Sequence, residues 1–359
     1  MAPLAYSDIF KRHIRTGDWA DQLVPTFAKI GEAIRDERRS DAIDYVNYFD
    51  VEAAVCYDLY TQWHADAERF LADRGVSPPD LQGIRDELNW LVNSWYDDSA
   101  PYDRMAELGR YRATKARLIR LIGAGAAASL DLLADWKEHW RSIHDRDVDY
   151  VGGLFNAAHV RFGESSVEEL YRDYVIGNLF DFRYERFDVS KNDWSAMFDA
   201  LVYVSIEAMR GHLCGPERDG SMEMTSDDEK VTLTFTPCGS GGRTAQGDKI
   251  AGTPSRHEAP YHYRTLDEPA DFHWNKSGVC HYCAHCAILM EKLPMERFGY
   301  PVRVVEPPTY PANTEKCRWT MYRNPRDVPE WVYERSGERK PRADEPLGSA
   351  SRPLPETRQ

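Results

Sequence analysis

Apolar residues recur every three or four positions through the first part of the chain, with few turn clusters to interrupt them, which predicts a mainly helical region as far as about Met209. Between Ile43 and Ala72, Val46, Phe49, Ala53, Val55, Leu59, Trp63 and Phe70 are interleaved with acids at helical spacing. A second helix is expected from Met105 to Ile143. The Gly123-Ala-Gly125 interruption is where it would split, because each glycine costs about 1 kcal/mol relative to alanine in a helix. Ser195 to Leu213 reads as a third, more deeply buried helix.

The period then changes. Val231, Leu233 and Phe235 alternate with threonines, a half-buried strand pattern that ends at Pro237. Cys238-Gly-Ser-Gly-Gly-Arg243 reads as a glycine-rich turn, Ile288 to Leu293 as helix, and Val302 to Val305 and Arg318 to Tyr322 as strands. After Ser336 the chain is Pro, Arg, Glu and Ser with almost nothing apolar to offset its ordering entropy, so a disordered tail is expected over 336–359.

Composition narrows the function. The 359 residues suffice for a buried core, and 45 Lys and Arg against 59 Asp and Glu give a net charge of -14. No basic surplus is present to attract nucleic acid or anionic lipid, so neither is expected as a partner. The nearly uncharged run from Leu121 to Leu130 is about half of what a membrane-spanning helix needs. Asp8, Lys11 and Arg12 interrupt any apolar core of a secretory signal, and a cytoplasmic location is expected. Seven cysteines, four of them between Cys280 and Cys317, suit a reduced metal site better than disulfides.

The segment from His273 to Cys286 holds Cys280, Cys283 and Cys286 together with His273, His281 and His285. Thiolates and imidazoles are the ligands zinc prefers, and a C-x-x-C turn lets two sulfurs reach one ion. A thiol redox centre lacks the strand-then-helix context it would need here. Cys286 precedes Ala287, Ile288 and Leu289 and can equally face the core; His281 and His285 would crowd one another as ligands, so at least one stands aside or faces solvent.

Two further segments carry candidate chemistry. Cys238 leaves a strand into a glycine-rich loop whose backbone N–H groups, around Gly239 and Gly241, could meet an anion, with Arg243 as a carboxylate clamp. There Cys238 is a zinc ligand or a thiolate nucleophile; the alternative is a plain turn with a packed cysteine. His212, just past the buried helix, is a candidate general base, its alternative being a helix-end histidine that favours the dipole; His273 is the other candidate proton carrier. His139 and His144 lack the paired Glu-x-x-His spacing of a di-iron bundle.

Cys283, Glu306 after Val302-Arg-Val-Val, and Cys317 before Arg-Trp-Thr-Met resemble the zinc motif of the 4-vinyl reductase domain, over about the last third of the chain. That resemblance implies zinc ligands drawn from Cys283, Glu306 and Cys317, beside a pocket for a small, often aromatic molecule. Pro307-Pro308-Thr309 stands where the family places another cysteine, leaving Cys280 or Cys238 to complete the site, or a position open to water. The Cys-Arg-aromatic strand is also similar to that of L-2-amino-thiazoline-4-carboxylate hydrolase-like proteins. The expected fold is therefore α+β: a helical domain over 1–220 and a zinc-bearing α/β domain of 4-vinyl reductase type over 221–335. The expected function is a zinc-dependent hydrolase of a small organic molecule using metal-activated water, with cleavage of a C–N or C–S bond suggested by the hydrolase resemblance. The alternative is a small-molecule-binding or sensing protein with a closed structural zinc.

Overall fold

In a computed structural model, which describes residues 2–96, 99–176, 180, 183–311 and 316–351, the helical rhythm becomes α1 (Thr26–Arg35), α2 (Arg39–Asp73), α3 (Pro78–Asn93), α4 (Arg104–Ala124), α5 (Ser129–Phe162) and α6 (Trp194–Gly211). The expected split falls at Gly125, whose φ of 66° lets the chain turn left-handed while its N–H caps the Ile122 carbonyl. Ser77 starts α3 by accepting from the Asp80 N–H, with Pro78 inside the first turn. The apolar faces of α1, α2, α5 and α6 meet around Trp63, Trp136, Tyr60 and Phe49, all fully buried. Burying one such aromatic side chain stabilises by roughly 1.5–3 kcal/mol relative to leaving it exposed.

Two strands precede these helices: β1 (Leu4–Ser7) pairs with β2 (Arg12–Arg15) in a hairpin that the apolar pattern did not announce. The C-terminal part contributes β3 (Glu223–Ser226), β4 (Lys230–Phe235), β5 (Thr265–Leu266), β6 (Val279–Cys280), β7 (Val304–Glu306) and β8 (Cys317–Tyr322). β3, β4, β8 and β7 form an antiparallel sheet in that order, and β5 pairs with β6 separately. In β4 the alternation is literal: Val231, Leu233 and Phe235 are buried and the threonines between them are half-buried. The chain is thus α+β, with a large helical part and a small antiparallel sheet region.

Three expectations change. The glycine-rich turn is shorter than its composition suggests, because Gly241–Gln246 is already helical (α7). The boundary at 220/221 marks a change of secondary structure and not of core, since Leu233, Phe235 and Met321 of the sheet belong to the same apolar cluster as Trp63 and Trp136. The tail expected to be disordered is held as far as Ala350: Gly348 N–H bonds the Phe298 carbonyl, Ser349 N–H bonds Asp188, Ala350 N–H bonds Ser190 Oγ, and Arg326 reaches the carbonyls of Arg342 and Glu345. Polar and backbone groups hold it, which an apolar count does not register. The last part of the expected tail, 352–359, lies outside the described residues. No helix among the described residues is long and apolar enough to cross a membrane.

Candidate functional site

Five of the seven cysteines arrive at one end of the four-stranded sheet. Antiparallel pairing sets Phe235, near the end of β4, opposite Cys317, the first residue of β8, so Cys238 and Cys317 emerge side by side. From the other direction β6 ends at Cys280, which caps the helix His281–Cys286 (α8) by accepting from the Cys283 N–H at 3.4 Å. Cys283 and Cys286 follow at steps of three, and both turn toward the sheet end. Beyond Cys286 the helix widens into a π-turn at Ala287–Lys292, a distortion that recurs at functional sites.

Cys238, Cys283, Cys286 and Cys317 line a cavity of about 30 Å³, room for an ion or a water and no organic molecule. His212, His285, Trp274, Tyr282 and Trp319 share its walls. Cys280 is buried behind this lining, its Sγ 3.5 Å from the Gly241 carbonyl. Gly241 keeps the space free: a Cβ there would stand 2.4 Å from the Cys283 Sγ and 3.4 Å from that of Cys280. Cys238 is the acid of the group, its thiol pulled down to about 6 by the hydrogen bond from the Cys317 thiol, against burial, with help from the Gly242 N–H at 2.9 Å. The same contact and burial push the Cys317 thiol well up. At neutral pH Cys238 is therefore mostly thiolate, the form that ligates metals and attacks electrophiles.

A second constellation meets the first at His212. Asp145 is fully buried, which by itself would raise its pKa, but the Arg218 and Arg243 guanidinium groups outweigh burial and hold the carboxyl well below its usual range. Ionised Asp145 accepts from His144 Nδ1 at 2.9 Å, which leaves His144 Nε2 to accept from His212 Nδ1 at 2.9 Å. Burial keeps both rings neutral by lowering their pKa values. The unused lone pair of His212 is then on Nε2, on a ring that lines the cysteine cavity. Tyr60 Oη stands 3.3 Å from His212 Nδ1 and 3.0 Å from Tyr282 Oη. His285 is arranged likewise: its Nδ1 bonds the Tyr282 carbonyl, its Nε2 lies 3.5 Å from the Cys286 Sγ, and burial lowers its pKa to about 4.

Cys56, His144 and His212 offer atoms all within 4.8 Å of one another, so this buried group could hold a metal ion. Among the described residues no three of the five clustered cysteine sulfurs reach that spacing; they suit a soft metal in kind and would have to close inward upon a single ion.

Several expected site residues stand elsewhere. Glu306 is not among the cavity's walls: Val305 and Pro307 line it, so the strand's two-residue period turns Glu306 away, 43% exposed and paired with Arg318 across the strands at 3.0 Å. Arg243 is fully buried and paired with Asp145 and Asp149. Gly239 serves the turn, with φ at 81° and its missing Cβ admitting the His212 carbonyl, which a Cβ would approach to 1.9 Å. His273 is held apart from the cavity by the Lys276 carbonyl at 2.8 Å and by Glu164 at 3.3 Å. His281 bonds His159 at 2.8 Å; like His285 it is buried and does not face solvent. The structure brings together Cys238, Cys283, Cys317, Gly241 and His212 of the expected set, with Cys280 directly behind. Cys56, Tyr60, Asp145 and Arg218 were not foreseen: Cys56 and Tyr60 share a face of α2, Asp145 lies on α5 and Arg218 follows α6, and nothing local says that these three elements meet.

Comparison with protein-family models, with curated proteins and with solved structures gives no match for this chain.

Proposed function

We propose that this chain is a hydrolase of a small organic molecule that works at a thiolate-held zinc, with His212 as the proton carrier. The observation that carries the reading is the convergence of the Asp145–His144–His212 chain and four cysteines on one buried cavity. A zinc that only held the fold together would have no use for a neutral histidine backed by a second histidine and an ionised aspartate. Cys238, Cys283, Cys286 and Cys317 would be the ligand pool; bound there, zinc supplies Lewis acidity and lowers the pKa of a bound water to about 7. That the C-terminal third is of 4-vinyl reductase type belongs to the same reading.

The chain's own residues do the rest. His212 Nε2 takes the proton as water's oxygen adds to the electrophilic carbon. His144 accepts the His212 Nδ1–H, and Asp145 fixes the tautomer and balances the imidazolium that forms. His212 then returns the proton to the departing nitrogen or sulfur, so the leaving group exits neutral. Trp274, Tyr282 and Trp319 exclude bulk water, which strengthens each of these charge-assisted contacts.

A second reading has one observation in its favour, the single-ion spacing of Cys56, His144 and His212. There the ion replaces the His144–His212 hydrogen bond and His212 is a ligand. Metal content with X-ray absorption at the metal edge distinguishes the two on protein purified without chelator. The first reading expects one zinc with a mainly sulfur shell, retained in Cys56→Ser and lost in Cys283→Ser and Cys317→Ser. A nitrogen-rich shell lost only in Cys56→Ser selects the second reading, and wild-type protein without bound metal ends both.

A further inference from the structure

The cysteine cavity is too small for an organic molecule, but His212, His285 and Trp319 also line a second cavity of about 360 Å³. That volume falls in the range of small-molecule sites. Its walls are mixed, with Val51, Val55, Leu59, Val204 and Leu289 beside the adaptable Met290 on the aliphatic side. Its charges are unbalanced: Arg12, Arg183, Arg186 and Arg303 face Asp58 and Glu207. Arg12 is committed to Glu207. Arg303 bonds two neutral oxygens, Ser205 Oγ at 2.8 Å and Tyr184 Oη at 3.0 Å, and lies over the Trp319 ring.

Arg183 and Arg186 are different. Both are half-buried, and neither makes a hydrogen bond or salt bridge among the described residues; Arg186 has only the Phe10 ring, 5.8 Å from its guanidinium carbon. Burial lowers the pKa of each, and Arg186 is lowered further by Arg12 and Arg183. Asp58 is exposed and forms no ion pair with either. A guanidinium kept from water without an anion is costly, and two facing one cavity repel each other. Four cations against two carboxylates leave two positive charges uncompensated.

We infer that the larger cavity binds a small organic dianion, a phosphate or phosphonate ester or a dicarboxylate, with its head group on Arg183 and Arg186 and its apolar body directed toward His212. Guanidinium groups hold such oxygens bidentately, the geometry for which arginine is suited. That the bound dianion is also the substrate rests on the hydrolase reading; the binding site itself does not.

Isothermal titration of the as-purified protein at low salt with phenylphosphonate and phthalate, and with benzoate as the monoanion, tests this. At least one dianion is expected to bind, with benzoate weaker by about tenfold or more. Saturation by phenylphosphonate alone selects the phosphoryl head group, and by phthalate alone the dicarboxylate. Arg183→Gln and Arg186→Gln should each weaken the bound dianion by about tenfold or more, with partial recovery in the Lys variants. Neither Gln variant should melt below the wild type without ligand, because each loses an unpaired cation. Absence of dianion binding, affinity unchanged in the double Gln variant, or a large loss of thermal stability in the single variants overturns the assignment. His212→Gln is measured alongside: loss of hydrolysis with the dependence of dianion affinity on Arg183 and Arg186 intact would separate the two readings, so failure of one is visible apart from failure of the other.

Discussion

Single ionisable side chains carry much of what this protein does, and their environments set their behaviour. His64 packs against the Tyr150 ring at 4.6 Å, and burial together with the Arg104 charge lowers its pKa to about 3. In the unfolded chain it titrates near 6.5. Folding therefore keeps it neutral; its contribution is fully present above about pH 6.5 and is lost as pH falls toward the folded value. The expected slope from this one residue is about 1.4 kcal/mol per pH unit. Urea denaturation at pH 7.5, 6 and 5 should show a shallower acid decline in His64→Gln than in the wild type; identical slopes would show that His64 titrates alike in both states. His212 is a like case at the site. Its place after a helix end was readable as a candidate base, whereas its partner His144, 68 residues away along the chain, was not.

At the scale of elements, the sheet end explains both what was legible and what was not. The alternation in β4 was visible in the sequence as a strand pattern, whereas Cys280 and Cys283 were legible only as a C-x-x-C turn and not as the end of a strand leading into a capped helix. Glu306 stands off the cavity because a strand offers two faces, and pattern alone does not say which one meets the cavity; the pairing of Val305 with Trp319 does. Glu306→Gln is accordingly expected to leave metal content unchanged and to alter stability by no more than about 1 kcal/mol, the range of an exposed ion pair. Metal loss in that variant would restore Glu306 as a ligand. Gly241 and Gly239 show the same limit: both were legible as loop glycines, but one makes room for sulfur and the other for a carbonyl.

For the whole molecule, the continuous core and the docked C-terminal segment set the expectations. A chain ending at Ser336 loses the Gly348–Phe298 and Ser349–Asp188 hydrogen bonds and the packing of Leu347. At about 1 kcal/mol for each ordinary hydrogen bond, truncation should cost on the order of 2–4 kcal/mol and lower the melting temperature by several degrees in calorimetry. An unchanged melting temperature would mean that this segment is held too weakly to matter. The sequence by itself determined the helices, the β4 and β8 strands and the concentration of thiols, because these follow from local periodicity and composition. Only the tertiary structure decided that Asp145, His144 and His212 form one chain, that Arg243 serves Asp145, and that Arg183 and Arg186 face the same cavity as His212. Those facts depend on contacts between residues far apart along the chain, which packing of the common core creates and no local pattern encodes.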